Sequence, residues 1–136
     1  MIVELEMLDD LIFTQLSDYV IEHIEGIELS DANFSTVDND IANTTVFPFI
    51  YLHCLPGVEI GNDLEGDTLK GGLFTYEVRV TSNDSQEEVN TIMNAVTQAM
   101  KTMKFRSTSL PAFSDSGNLH IKSARWQRNF CEGDVI

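Results

Sequence analysis

The sequence predicts an α+β fold: a mostly antiparallel sheet of about four strands with two helices packed on one face, in a single domain over residues 1–136. One strand of strict alternation, the capped helix that follows it and a second amphipathic stretch near the start carry that expectation. From Leu73 onward Phe74, Tyr76, Val78 and Val80 point one way and Thr75, Glu77, Arg79 and Thr81 the other, the period of two that marks a strand with one face in a core. Asn83-Asp84 breaks the alternation, and Ser85 with Glu88 three residues on forms a capping box, whose side chains satisfy the free amide hydrogens of a helix start. From about Gln86, the residues Val89, Ile92, Met93, Val96, Met100 and Met103 recur at spacings of three and four. They make one stripe about 100° wide that must lie on the sheet.

Taken in order, the chain opens with a helix over Met7 to Ile24, where Leu8, Leu11, Ile12, Leu16, Tyr19, Val20 and Ile24 form the apolar stripe and Gly26 is placed to end it in a left-handed cap. Asp9, Asp10, Asp18 and Glu22 occupy its other faces. Ile27 to Thr44 reads as an irregular polar connection with one short strand at Ile27 to Leu29. Thr45 to Cys54 is apolar on both alternations, Phe47/Phe49/Tyr51 against Val46/Ile50/Leu52, which predicts a strand covered on both faces. Pro48 cannot donate to a ladder, so that strand is either at an edge there or pairs only after the proline. Leu55 to Gly72 predicts a long projecting loop, more than a hairpin needs. Beyond the second helix, Phe105 to Leu110 reads as a short strand ended by Pro111, with a turn at Ser114 to Gly117. A last strand runs from Asn118 to Phe130, where a bulge near Lys122 to Ala124 would reconcile Leu119 and Ile121 with Ala124, Trp126 and Phe130.

With 136 residues and 43% hydrophobic content the chain can bury a single sizeable core. No basic n-region precedes an apolar run, and no run is long enough for a membrane span, which predicts a soluble protein not exported through a signal peptide. Cys54 and Cys131 form no CxxC pattern and read as two free buried thiols, a disulfide being the lesser alternative. The net charge of −14 is unevenly spread: 15 of the 22 acidic residues lie before Lys70, and none of the 8 basic ones does. Such a surface repels phosphate, and no basic stripe interleaved with aromatics is present to hold nucleic acid through its backbone. Plain solubility explains the charge equally well.

No residue pattern in the sequence marks a catalytic or metal-binding site. His23, His53 and His120 have no HxxxH or HExxH spacing and read as structural or surface residues. Asp38-Asn39-Asp40 starts like a calcium loop, but Ala42 at the fifth position and the missing glycine at the sixth break the EF-hand pattern. Gly71-Gly72 lacks a phosphate-loop context and reads as a flexible lead-in to a strand. Ser17 and Ser85 have no histidine beside them, and Ser85 already serves as a cap.

One layout in the chain resembles that of a known family. Phe47-Pro48-Phe49-Ile50-Tyr51-Leu52, a long polar loop, Thr75 to Ser82, the SxxE-capped helix with its MKxMxF-style ending, closing in Met103-Lys104-Phe105-Arg106, and finally Ala124-Arg125-Trp126 resemble the tail terminator or tail completion proteins of long-tailed bacteriophages. The resemblance covers roughly residues 5 to 130 and carries no catalytic fingerprint. It implies a non-enzymatic virion protein of the neck, assembled in the host cytoplasm, forming a ring of six copies that caps the finished tail tube and joins tail to head. Its implied partners are its own copies, the tail tube protein and a head-completion or connector protein, with no cofactor, no metal and no membrane. DNA passes through such a ring without specific binding, and carboxylates lining the channel would keep its phosphates from adhering.

Two other readings stand beside it: another neck component, such as a head-closure or head-tail connector subunit, and a small-molecule-binding or enzymatic domain, which a deep pocket of convergent polar groups would support. For the ring, two interfaces are expected. The Leu55 to Gly72 loop, with Asp63, Glu65 and Asp67, reaches a neighbouring subunit or the tube. Lys122, Arg125 and Arg128 on the last strand meet the acidic side of the next copy, although a solvated strand face explains these three cations equally well.

Overall fold

The computed structural model describes residues 2–36, 46–60, 71–131 and 133–135, and the fold is α+β. After a 3-10 turn over Leu5–Met7 come helix α1 (Leu8–His23), the two-residue strand β1 (Phe34–Ser35), β2 (Phe49–Ile60), β3 (Gly71–Ser82), helix α2 (Gln86–Thr102), β4 (Arg106–Phe113) and β5 (His120–Cys131). The strands lie in the order β1-β2-β3-β5-β4. This corrects the expected four antiparallel strands to a mixed sheet of five, because β1 pairs parallel to β2 through Phe34 and Ile50. The expected strand at Ile27 to Leu29 does not form; its place is taken by β1. There a buried asparagine supplies the anchor: Asn33 accepts from the Ser30 amide through Oδ1 and donates through Nδ2 to the Pro48 carbonyl at 2.8 Å.

Both helices lie on one side of the sheet. Leu8, Ile12, Leu16 and Val20 of α1 and Val89, Ile92, Met93, Val96, Ala99 and Met100 of α2 join Ile50, Leu52, Tyr76, Val78, Val80, Ala124, Trp126 and Phe130 in one core. Side chains at i and i+4 fall on one helix face while alternate strand residues share one sheet face, so these spacings alone bring the groups together. Each fully buried Val, Ile or Leu contributes about 1.5–3 kcal/mol relative to exposure. The termini close the layer: Val3 donates to the Asp134 carbonyl and accepts from Gly133.

The cap of α2 forms as expected on one side and differently on the other. Ser85 Oγ accepts from the Glu88 amide at 3.1 Å. Glu88 does not reach back to the Ser85 amide; its carboxylate accepts from Ser82 Oγ, which itself accepts from the Asp84 amide. The carboxylate thus ties the end of β3 to the start of α2. Ser85→Ala should lower stability by about 1 kcal/mol in chemical denaturation, the usual worth of an N-cap; an unchanged midpoint would show that Ser82 and Glu88 suffice.

Several element ends differ from the sequence expectation. Helix α1 stops because Ile24 is extended, and Gly26 takes its left-handed conformation, φ 81°, only in the turn that follows. β2 starts at Phe49, directly after Pro48, so the proline stays out of the ladder. At both ends of the expected loop from Leu55 to Gly72 the chain is strand: β2 runs on to Ile60, past a register shift between Leu55 and Val58, and β3 starts at Gly71, while 61–70 lie outside the described residues. Gly71 is no flexible lead-in, because a Cβ there would lie 2.8 Å from the Phe130 carbonyl oxygen, a close approach of two strands that only glycine permits. β4 continues through Pro111 to Phe113, which an edge strand with shifted register tolerates.

The expected bulge in β5 is absent. Its twelve residues pair with β3 without a break, from Ser82 and His120 to Gly71 and Cys131. The irregularities fall in β4 instead, between Ser107 and Ser109 and between Ser109 and Ala112.

Candidate functional site

The unbroken register sorts the side chains of β5 onto two faces. Even-numbered residues point toward the helices: Ala124, Trp126 and Phe130 are buried there. Lys122 and Arg128 share that side, Lys122 donating to Asn90 of α2 at 2.7 Å and Arg128 to the Met103 carbonyl at 2.7 Å, near the negative end of the α2 dipole. Their charged ends also lie over aromatic rings, Lys122 on Phe113 and Arg128 on Phe130. Arg125 points the other way and donates to Glu77 of β3 at 2.8 Å. The three cations expected to make one basic strand face therefore lie on opposite sides of the sheet.

Among the described residues no helix covers the second face of the sheet. Tyr51 and His53 of β2, Thr75, Glu77 and Arg79 of β3, and Arg125 of β5 look out from it, each exposed or half-buried. This corrects the expectation that both faces of the β2 segment are covered. Tyr51 and His53 stack with centroids 5.7 Å apart, and the Arg79 guanidinium lies 5.0 Å from the centre of the Tyr51 ring. Arg106 of β4 pairs with Gln127 and so belongs to the same face. In a chain of net charge −14 this surface carries three arginines and, among its described side chains, one carboxylate.

On the helix side, where Lys122 and Arg128 reach the rim of α2, the outer surface of α1 has the reverse charge. On α1 the residues Asp10, Thr14, Asp18 and Glu22 are all exposed and four apart, one stripe that faces away from the Leu8, Ile12, Leu16 and Val20 stripe. Glu25 and Glu28 extend it past the helix end.

Where α1 meets β2 there is a cleft of about 370 Å³ lined by Asp9, Asp10, His53, Cys54 and Tyr76. Tyr76 donates its hydroxyl to Asp9 at 2.6 Å, and burial together with that bond raises its pKa far above the ordinary tyrosine value. Burial, then the Asp9 charge, pushes the Cys54 thiol up to about 11, which favours its neutral form. A second cleft, of about 480 Å³, separates the end of α1 from α2 and is lined by Tyr19, His23, Thr91, Asn94 and Gln98.

The remaining sequence candidates are quickly placed. His23 stacks on Tyr19, and His120 lies 3.2 Å from Asp115, whose carboxyl is held below its ordinary pKa first by a hydrogen bond from Gln86 and then by His120. Ser17 donates to the Thr14 carbonyl inside α1. Both cysteines are free, but Cys131 is exposed and Cys54 half-buried, not fully buried as expected. Asp63, Glu65 and Asp67, like Asp38-Asn39-Asp40, lie outside the described residues. Among the described residues no three His, Cys, Asp or Glu side chains converge to hold a metal ion, and no helix is long and apolar enough to cross a membrane. The arginine-bearing sheet face was missed in the sequence because Arg79, Arg106 and Arg125 are far apart in the chain; only the strand order makes them neighbours. No family model matches the chain, and no curated protein matches it significantly.

Proposed function

We propose that this chain is a structural ring subunit, a tail terminator that caps the tail tube of a long-tailed bacteriophage and joins it to the head. The observation that carries the ring is the separation of charge: the outer stripe of α1 is acidic, while the helix-free sheet face on the far side holds Arg79, Arg106 and Arg125. A subunit with two different, complementary surfaces associates head to tail, and head-to-tail contacts close into rings when the rotation allows. The place of the ring in a virion rests on the resemblance of the FP-strand, SxxE-capped helix and Ala124-Arg125-Trp126 layout. Its role is mechanical, with no cofactor, and its acidic surface lets DNA pass without adhering.

Light scattering of the protein, alone and mixed with its cognate tail tubes, tests this reading, with electron microscopy of the tubes. The expected result is a closed ring of several copies, six on the family pattern, seated on one tube end. Binding to head connectors and not to tubes would move the protein to the head-closure position. A monomer that binds neither would sink the proposal.

A further inference from the structure

We infer that the helix-free sheet face is the docking site for the acidic stripe of α1 from a second copy of this chain. The inference rests on the ring reading for its partner and goes beyond it in assigning the two surfaces. Three features of the molecule support the match.

The first is geometry. Arg79 sits on β3, Arg125 pairs with Glu77 on the neighbouring β5, and Arg106 pairs with Gln127, which lies opposite Thr75. Each arginine is thus displaced from the last by one strand and two residues, about 8 Å per step from ordinary strand spacings and so about 17 Å for the diagonal. From Asp10 to Glu22 the acidic stripe rises twelve residues, about 18 Å. Three cations on a diagonal therefore face three carboxylates, Asp10, Asp18 and Glu22, on a stripe of equal length.

The second is charge. Before Lys70 the chain has no lysine or arginine, so nothing on α1 weakens the attraction. Both copies carry a net charge of −14, so the attraction is local, three arginines beside Glu77 meeting the carboxylate row of α1. Another copy offers carboxylates in a fixed row, and the stacked rings of Tyr51 and His53 beside Arg79 give the helix a flat surface to rest on.

The third is direction. The α1 stripe lies on the helix side of the sheet and the arginines on the other, the two approaching only at the cleft that Asp10 and His53 line, so a contact between them uses one surface of each copy and leaves the other for the next. That arrangement propagates and can close. It also commits the α1 carboxylates to the joint between subunits, so other acidic residues must line a channel.

A pair of charge reversals tests the inference in the full-length protein. One variant carries Asp10→Lys, Asp18→Lys and Glu22→Lys; the other carries Arg79→Glu and Arg106→Glu and keeps Arg125 with its bond to Glu77. Arg106→Glu alone, on the exposed edge strand, serves should the double substitution unfold. Association is read by light scattering at low and high salt, with tail tubes present where assembly requires them, and folding by circular dichroism. Each variant alone should associate about a hundredfold more weakly than the parent, since like charges then face each other. An equimolar mixture should recover association, because every mixed contact is again opposite in sign. Added salt should weaken the parent and the mixture alike.

Folded variants that assemble as the parent does, or a mixture that stays monomeric, would overturn this interface while leaving the ring standing. A parent that neither self-associates nor caps tubes would overturn both. If a labelled single-stranded oligonucleotide binds the parent and the acidic-stripe variant but not Arg79→Glu/Arg106→Glu, the face belongs to nucleic acid and the inference fails.

Discussion

Ile92→Asp leaves no soluble folded protein. Ile92 is 0% exposed at the centre of the α2 stripe, and it packs in the same core as Val78 and Val80 of β3. The substitution removes apolar burial worth about 1.5–3 kcal/mol and places a carboxylate among the apolar side chains of the core. An unpaired buried charge costs several kcal/mol more, even after its proton affinity rises. Together these approach the whole stability of an ordinary domain, about 5–15 kcal/mol. Ile92→Val is the matched control, since it keeps the apolar surface and should cost only about 0.5–1.5 kcal/mol. Soluble yield and the melting curve by circular dichroism report both variants. A melting temperature unchanged in Ile92→Asp would mean that α2 does not lie on the sheet through this stripe.

That packing was legible in the sequence because its signals are local. The alternation of Phe74 to Val80, the Ser85 cap and the apolar stripe from Val89 to Met103 each lie within one element, and each element formed as expected. Local pattern lost its grip where pairing partners decide the outcome. The apolar alternation on both sides of β2 suggested two covered faces, yet Tyr51 and His53 face outward because both helices occupy the other side. Strand β4 passes through Pro111 because an edge strand needs its amides on one side only. The extension of β2 to Ile60 depends on the ladder to Gly71 and beyond, which composition rich in Gly, Asp and Glu concealed. In the candidate site the sequence revealed the charge imbalance and the row of carboxylates on the first helix. It did not reveal the arginine diagonal, since strand order β3-β5-β4 is a property of the sheet and not of any one segment.

The unbroken register of β5 leads to the other large effect: Trp126→Ala should cost about 3–5 kcal/mol, the usual range for truncating a buried tryptophan. Trp126 is 2% exposed, opposite Tyr76 on β3, and it faces the core from the middle of the sheet. A bulge near Lys122 to Ala124 would have split the strand into two parities, putting Lys122 on the side away from Trp126. With no bulge, Lys122, Ala124, Trp126, Arg128 and Phe130 all point toward the helices, and the two cations reach Asn90 and the Met103 carbonyl at the rim of that layer. The neighbouring residue supplies the contrast. Arg125 is one position away on the opposite face, its side chain 51% exposed, and its bond to Glu77 is a surface ion pair worth about 0–1 kcal/mol. Arg125→Ala should therefore move the urea midpoint little, while Trp126→Ala moves it far or leaves no transition at all. Salt should erase the small effect of Arg125→Ala and leave the large one intact, because screening acts on charges and not on packing. Equal losses from the two substitutions, or a larger one from Arg125, would mean that the strand does not run straight through this register.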